Sequence, residues 1–237
     1  MQLRFLTGSR RLIIVAGAAG SALLLLPANP VSAAAASTHT TNFAGYIASV
    51  TNSATQFSGS ISIPAVTCPA SGSTTLAPTA DIRTTNNFIQ FENQISCANG
   101  TATNNGFLAG IYPSTGGTPI ADAFIQTAAG DTVKATLTIS AGTGTVKVSD
   151  LTAHSSGSAA APVSGSLTSV QIGTFVFSSP TVVPNFTTIT YGTVKIGPAA
   201  LSTFSPAQYE IFNGTVKQVA TSIVSLNGTF HNTFVHS

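Results

Sequence analysis

The chain has 237 residues, with only eight Lys and Arg against six Asp and Glu, four His, two Cys and no Trp. So few charges, with no basic patch and no finger, RNP or helix-turn-helix pattern, exclude a nucleic-acid partner. An abundance of Thr, Ser, Gly, Val and Ile over Glu, Lys and Arg favours strands and turns over helices. The length suffices for one sizeable core.

The first 36 residues have the pattern of an export signal. Arg4, Arg10 and Arg11 precede an apolar run over residues 12–26, and the small residues of 31–36 (VSAAAA) place cleavage near Ala33–Ala36. Gly and Ser interrupt the run and Pro27 and Pro30 follow it, which argues against a membrane span retained after processing. Residues 9–14 (SRRLII) fit a twin-arginine signal and equally an ordinary basic start. Without this leader five cations (Arg83, Lys134, Lys147, Lys195 and Lys217) face six carboxylates, so the mature chain carries 5 − 6 = −1. The expected organisation is a leader over 1–36, a flexible start over 37–41 and a single domain over 42–237.

Residues 42–50 and 56–66 are predicted as strands around the turn Thr51-Asn52-Ser53, with Pro64 ending the second ladder. A loop over 67–75 leads to a short, irregular strand over 76–83. The segment 87–97 (NFIQFENQISC) alternates clearly. Phe88, Gln90, Glu92, Gln94 and Ser96 share one face, and Ile89, Phe91, Asn93, Ile95 and Cys97 share the other. Residues 98–106 are rich in turn formers, and strands over 107–112 and 120–126 flank a further loop. The strongest sheet signal is the pair 131–139 and 145–151, where Val133, Ala135, Leu137 and Ile139 alternate with Thr132, Lys134, Thr136 and Thr138. Residues 154–166 are predicted as a long surface loop. Strands follow over 167–177, 186–196 and 208–226, the last containing a turn, and 229–235 closes the chain. The nearest thing to a helix is 205–212, with Pro206 at a possible first helical position. About twelve strands and no amphipathic helix predict an all-β sandwich.

The inventory of chemistry is short. Asp131 is expected to be a turn residue, Asp150 solvated at a strand end, Asp81 and Asp122 isolated, and Glu210 at the surface. None of His39, His154, His231 and His236 has metal-ligand spacing, so no metal and no cofactor are expected. A nucleophile elbow and a phosphate loop are both missing. Cys68 and Cys97 both follow the leader, and a disulfide closing their loop is worth about 2–4 kcal/mol. Asn99, Asn185, Asn213 and Asn227 begin Asn-x-Thr sequons, three of them Asn-Gly-Thr turns.

Several segments occur in the order seen in the secreted glutamic peptidases called eqolisins. Asn42-Phe43-Ala44-Gly45-Tyr46 is similar to that family's Asn-Trp-Ala/Ser-Gly-Tyr, and residues 61–68 (ISIPAVTC) to its Trp-Thr-Val-Pro-x-Val-x-Cys. Phe88-Ile89-Gln90 resembles the strand that holds the catalytic glutamine, with Cys97-Ala98-Asn99-Gly100 following. Ala129-Gly130-Asp131 resembles an Ala-Gly-Asp strand start. Residues 175–180 (FVFSSP) and 183–186 (VPNF) resemble Trp-Ile-Val-Glu-x-Pro and Leu-Pro-x-Phe. The resemblance covers about residues 41–197. It implies a concanavalin-like, jelly-roll sandwich of two curved antiparallel sheets, with peptide hydrolysis by a Gln/Glu pair across a cleft.

The departures bear on activity. The resemblance places the glutamine at Gln90 and the glutamate at Thr174, and threonine cannot serve as a general base at acidic pH. The family's Trp-Val-Gly-Ile-Asp-Gly strand has no clear counterpart before Gln90. Its Trp-Tyr-Glu segment appears only as residues 108–113, with Gly110 where a carboxylate would stand and Tyr112 two residues on. The expectation is a secreted, monomeric, non-catalytic relative that binds peptide or carbohydrate in the old cleft, with Gln94, Thr174 and Tyr112 as contacts. The alternative is an acid endopeptidase in which Gln90 pairs with Glu92, two residues along the same face at about 7 Å.

Overall fold

Alternation written into the sequence becomes burial in the fold. In the computed structural model, which describes residues 37–177 and 182–236, Val133, Ala135 and Leu137 are buried while Lys134 and Thr138 face solvent. The leader and Ser178-Ser179-Pro180 of the family-like segment lie outside the described residues. No helix among the described residues is long and apolar enough to cross a membrane.

Eighteen strands are described. The first nine are β1 (Thr38–Thr40), β2 (Phe43–Ser49), β3 (Gln56–Ser62), β4 (Val66–Thr67), β5 (Ser73–Thr84), β6 (Asn87–Ala98), β7 (Thr101–Pro113), β8 (Ala121–Ile125) and β9 (Thr132–Ser140). There follow β10 (Thr143–Asp150), β11 (Ser156–Pro162), β12 (Leu167–Phe177), β13 (Asn185–Phe186), β14 (Ile189–Ile196), β15 (Ala199–Ala200), β16 (Ala207–Asn213), β17 (Val216–Thr221) and β18 (Phe230–Phe234). Sixteen of them form one sheet, ordered β11-β10-β9-β3-β14-β18-β17-β16-β2-β12-β5-β6-β7-β8, with β1 beside β16 and β15 beside β14. Among the described strands only β1 pairs in parallel, with β16, and β13 and β4 form a small second sheet.

The long sheet doubles over, so that β11 and β10 pack against β8 and β7. Its two halves lie face to face, as sandwich packing requires. Phe57 of β3 stacks on Phe91 of β6 at 5.9 Å, and Phe230 of β18 meets Tyr191 at 4.6 Å and Tyr46 of β2 at 4.9 Å between ring centroids. Each fully buried ring contributes about 2–3 kcal/mol through removal of its apolar surface from water. Cys68 and Cys97 form the expected disulfide, with Cα atoms 5.4 Å apart, fastening the small sheet to the end of β6.

Five local expectations are corrected. The segment 76–83 belongs to the twelve-residue strand β5, whose interior Pro78 costs one ladder bond without ending it. The turn-rich 98–106 holds only a tight turn at Asn99-Gly100, after which β7 runs for thirteen residues. Ser156–Pro162, predicted as loop, pairs with β10, because Gly and Ala suit a strand lying close over β8. Residues 207–212 are strand; the one helix among the described residues is a single 3-10 turn, Leu201–Phe204. Thr38–Thr40, within the expected flexible start, forms β1 against β16.

Candidate functional site

Strands β12, β5, β6, β7 and β8 are neighbours, and their register puts Gln171, Asp81, Gln90, Gly110 and Asp122 in one row across the outer face. The next row holds Gly173, Thr79, Glu92, Leu108 and Phe124. Directly paired residues point the same way, so all these side chains leave the sheet on the side away from the core.

Gln90 sits at the centre of a chain of hydrogen bonds. Its Nε2 donates to Glu92 Oε2 at 2.9 Å, while Gln94 Nε2 donates to Glu92 Oε1. Gln90 also hydrogen-bonds the Asp81 carboxyl from the neighbouring strand, and Thr79 Oγ1 reaches Asp81 Oδ1 at 3.0 Å. The glutamine amide is therefore held between two carboxylates. Glu92 is 6% exposed, and each of its oxygens accepts one amide hydrogen bond.

Burial raises the pKa of both acids. Desolvation pushes Asp81 up to about 6, with the Glu92 charge adding to the rise and the bonds from Thr79 and Gln90 and the charge of Arg83 opposing it. Glu92 is likewise raised by desolvation, against the bond from Gln94. Tyr112 joins the group. Its ring lies over Gly110, so closely that a Cβ there would be 2.5 Å from the ring edge and 2.8 Å from the hydroxyl. Desolvation, followed by the charges of Glu92, Asp122 and Asp81, raises its hydroxyl above the ordinary value.

Aromatic rings border the polar patch. Phe43, Phe175 and Phe177 make a contiguous series at 4.8 and 5.6 Å between centroids, and Arg83 lies 5.1 Å over the Phe88 ring. Toward the disulfide the same face opens into a depression of about 710 Å³, bordered by Thr75, Ser96, Phe177 and Val182. Among the described residues no group of three or more His, Cys, Asp and Glu is placed to hold a metal ion.

Of the candidates from sequence, Gln90, Glu92, Gln94 and Tyr112 come together here, and Thr174 does not. It points into the core, where its hydroxyl lies 2.8 Å from Tyr191 Oη and accepts from Asn232 Nδ2 at 3.0 Å. The physical reason is strand parity: Thr174 alternates with Gly173 and Phe175, which do face outward. Asp81 and Asp122, taken as isolated, belong to the site. Parity along β5 would have found Asp81, because Ala80 and Ile82 on its flanks point inward.

The other acids are structural. Asp131 Oδ2 accepts from the Ala128 amide at 2.6 Å, as a turn residue should. Asp150 is buried rather than solvated, because its Oδ1 ties down the amides of Thr152 and Ala153 at 2.8 and 3.0 Å. Glu210 is buried too, bonded to Lys217 Nζ at 2.8 Å, Ser37 Oγ at 2.7 Å and the Thr221 amide at 3.2 Å.

No family model matches the sequence, and no curated protein matches it. Solved structures do match in shape. Scytalido-glutamic peptidase, crystallised with a peptide-based transition-state analogue, aligns with a TM-score of 0.57 at 15% identity, covering 82% of this chain and 98% of that one. The chain has the eqolisin fold. SCP-B, a member of the eqolisin family in complex with the tripeptide Ala-Ile-His, aligns with a TM-score of 0.54 at 14% identity and the same coverage. Within the eqolisin fold of this chain, the outer face of β12 carries Gln171, Gly173 and Phe175 toward the Gln90 rows, and no carboxylate.

Proposed function

We propose that the protein is an exported, divergent relative of the glutamic peptidases that binds peptide on the Gln90 face without hydrolysing it. One observation carries this reading: both oxygens of Glu92, the carboxylate nearest Gln90, are taken by the amides of Gln90 and Gln94. A general base must aim a lone pair at its water, and the two amides fix the orientation of a carboxylate that is only 6% exposed. Held on two sides by carboxylates, the Gln90 amide offers its carbonyl oxygen as an acceptor for a ligand N–H, and the Phe43–Phe175–Phe177 series offers apolar contact. Peptide is favoured over carbohydrate because two structures of this fold were solved with peptides or peptide analogues. Export is supported by the leader pattern and by the disulfide, a linkage of oxidising compartments.

The test uses the processed chain and a peptide library screened between pH 3 and 7. Binding that weakens at least tenfold in Gln90→Ala, with no cleavage of unfolded protein, is the expected result. A second reading, acid endopeptidase activity by Gln90 and Glu92, is favoured by the raised pKa of Glu92 and by Asp81 at about 6 beside the same amide. Cleavage at pH 3–5 that disappears in Gln90→Ala/Glu92→Ala would replace the first reading with this one.

A further inference from the structure

The opposite outer face, on the other half of the sheet, carries a separate feature. Asp81, Glu92 and Asp122 gather on the Gln90 face, whereas Lys134, Lys147 and Lys195 all project from the β9–β10–β3–β14 face. Register aligns them: Lys147 is level with Thr136, Thr136 with Ser58, and Ser58 with Lys195, while Lys134 is level with Ser60 one row away. These are three of the five cations that remain once the leader is excluded. Among the described residues none of the three makes an ion pair, unlike Lys217, which is bonded to Glu210.

Between Lys134 and Lys195 the face is hollow. The β3–β14 register slips between Gly192 and Lys195, and Thr193 takes the left-handed conformation at φ 49°. A slip of this kind bends the strand locally and re-aims its side chains. Gly192 has no side chain to fill the gap, and a Cβ there would come within 2.5 Å of Ser60 Oγ. The resulting cavity is about 330 Å³ and has Lys134, Lys195, Ser58, Thr193 and Leu151 on its walls and no carboxylate. That volume falls at the lower end of small-molecule sites, about 300–1,000 Å³.

We propose that this hollow binds a tetrahedral oxyanion, the phosphate or sulfate of a small ligand. Two ammonium groups supply point charges of the kind that suit phosphate, and the hydroxyls of Ser58 and Thr193, which make no hydrogen bond among the described residues, supply further donors. The site is independent of the Gln90 face, so either can fail without the other.

The experiment titrates the processed chain with inorganic phosphate, inorganic sulfate and glucose 6-phosphate, with glucose as the neutral control. Amide NMR shifts and calorimetry are the readouts. The expected result is saturable binding of the anions, with shifts centred on Gly59, Ser60, Gly192 and Thr193. Lys134→Gln/Lys195→Gln should weaken it at least tenfold, Lys134→Arg/Lys195→Arg should retain it, and Lys147→Gln, outside the hollow, should stay within twofold. These lysines are exposed, so the variants should melt with the parent chain. The proposal is overturned by unsaturable binding, by shifts that spread evenly to Lys147, by an unchanged Kd in the double glutamine variant, or by glucose binding as well as the anions.

Discussion

Asp81→Asn tests the electrostatics of the Gln90 face directly. The carboxyl titrates at 3.8 in an ordinary setting and at about 6 here, mainly through desolvation and then the Glu92 charge. At about 1.4 kcal/mol per tenfold change, that displacement penalises the charged form by about 3 kcal/mol. Residual solvent contact reduces the expectation to about 2 kcal/mol. The sign follows from proton linkage. Between pH 3.8 and 6 the folded protein holds a proton that the unfolded chain has released, so stability falls as pH rises through that window and stays low above it. Asparagine has the same shape, still accepts from Thr79, and never charges. Urea unfolding should therefore find Asp81→Asn more stable than the parent by about 2 kcal/mol at pH 7 and equal to it at pH 3.5. In melting temperature the gain at pH 7 is about 4–8 °C for a domain of this size. A parent protein whose stability is flat from pH 4 to 7, or a variant shifted equally at both pH values, would refute the reasoning.

Thr174→Val removes a hydroxyl that partners both Tyr191 and Asn232 in the core, and should cost about 1–3 kcal/mol by chemical denaturation while leaving peptide binding on the outer face intact. Gly110→Ala places a Cβ against the Tyr112 ring, so ring resonances of Tyr112 should shift by NMR and peptide affinity should fall several-fold, with less than about 2 kcal/mol lost in stability. Glu210→Gln tests the opposite sign. Burial would raise Glu210, but the bonds from Lys217, Ser37 and the Thr221 amide outweigh it and hold the group below 4.5. Its contribution is therefore present above pH 4.5 and lost as pH falls through the lower folded value, so the variant should be less stable than the parent at pH 7 and match it at the acid end of a pH-dependent melt.

Most of the architecture was legible because period-two alternation is a direct signature of a half-buried strand. It placed β6, β9 and β10 within a residue or two and assigned their faces correctly. The missed pieces share one cause: local composition that ordinarily signals turns was overruled by pairing on both sides. Pro78 lies inside β5, yet β12 and β6 flank that strand and hold the rest of its ladder. Gly157 and the alanines of β11 have little intrinsic strand preference, but lying over β8 suits small side chains. Propensity is a weak prior wherever neighbouring strands fix the backbone.

The candidate site shows the same competition at the level of a single position. Placing the family's glutamate at Thr174 followed an ordered string of motifs, whereas the alternation of β12 carried contrary information. Val170, Ile172, Thr174 and Val176 form the buried set, so position 174 lies on the core side of the strand. A shift of one residue sends every side chain of a strand to the other face. The β12 positions level with the Gln90 rows are Gln171 and Gly173, and neither can take up a proton. Acid–base chemistry on this face must therefore come from Asp81, Glu92 and Asp122, on β5, β6 and β8. Of these, Asp81 and Glu92 are bonded to the Gln90 amide that a substrate would need to displace, and Asp122 sits one strand further out, beyond the glycine that Tyr112 covers. Such an arrangement locks the carboxylate beside Gln90 into internal hydrogen bonds, and freeing Glu92 by Gln94→Ala is the smallest change that would expose any latent hydrolysis in an acid proteolysis assay.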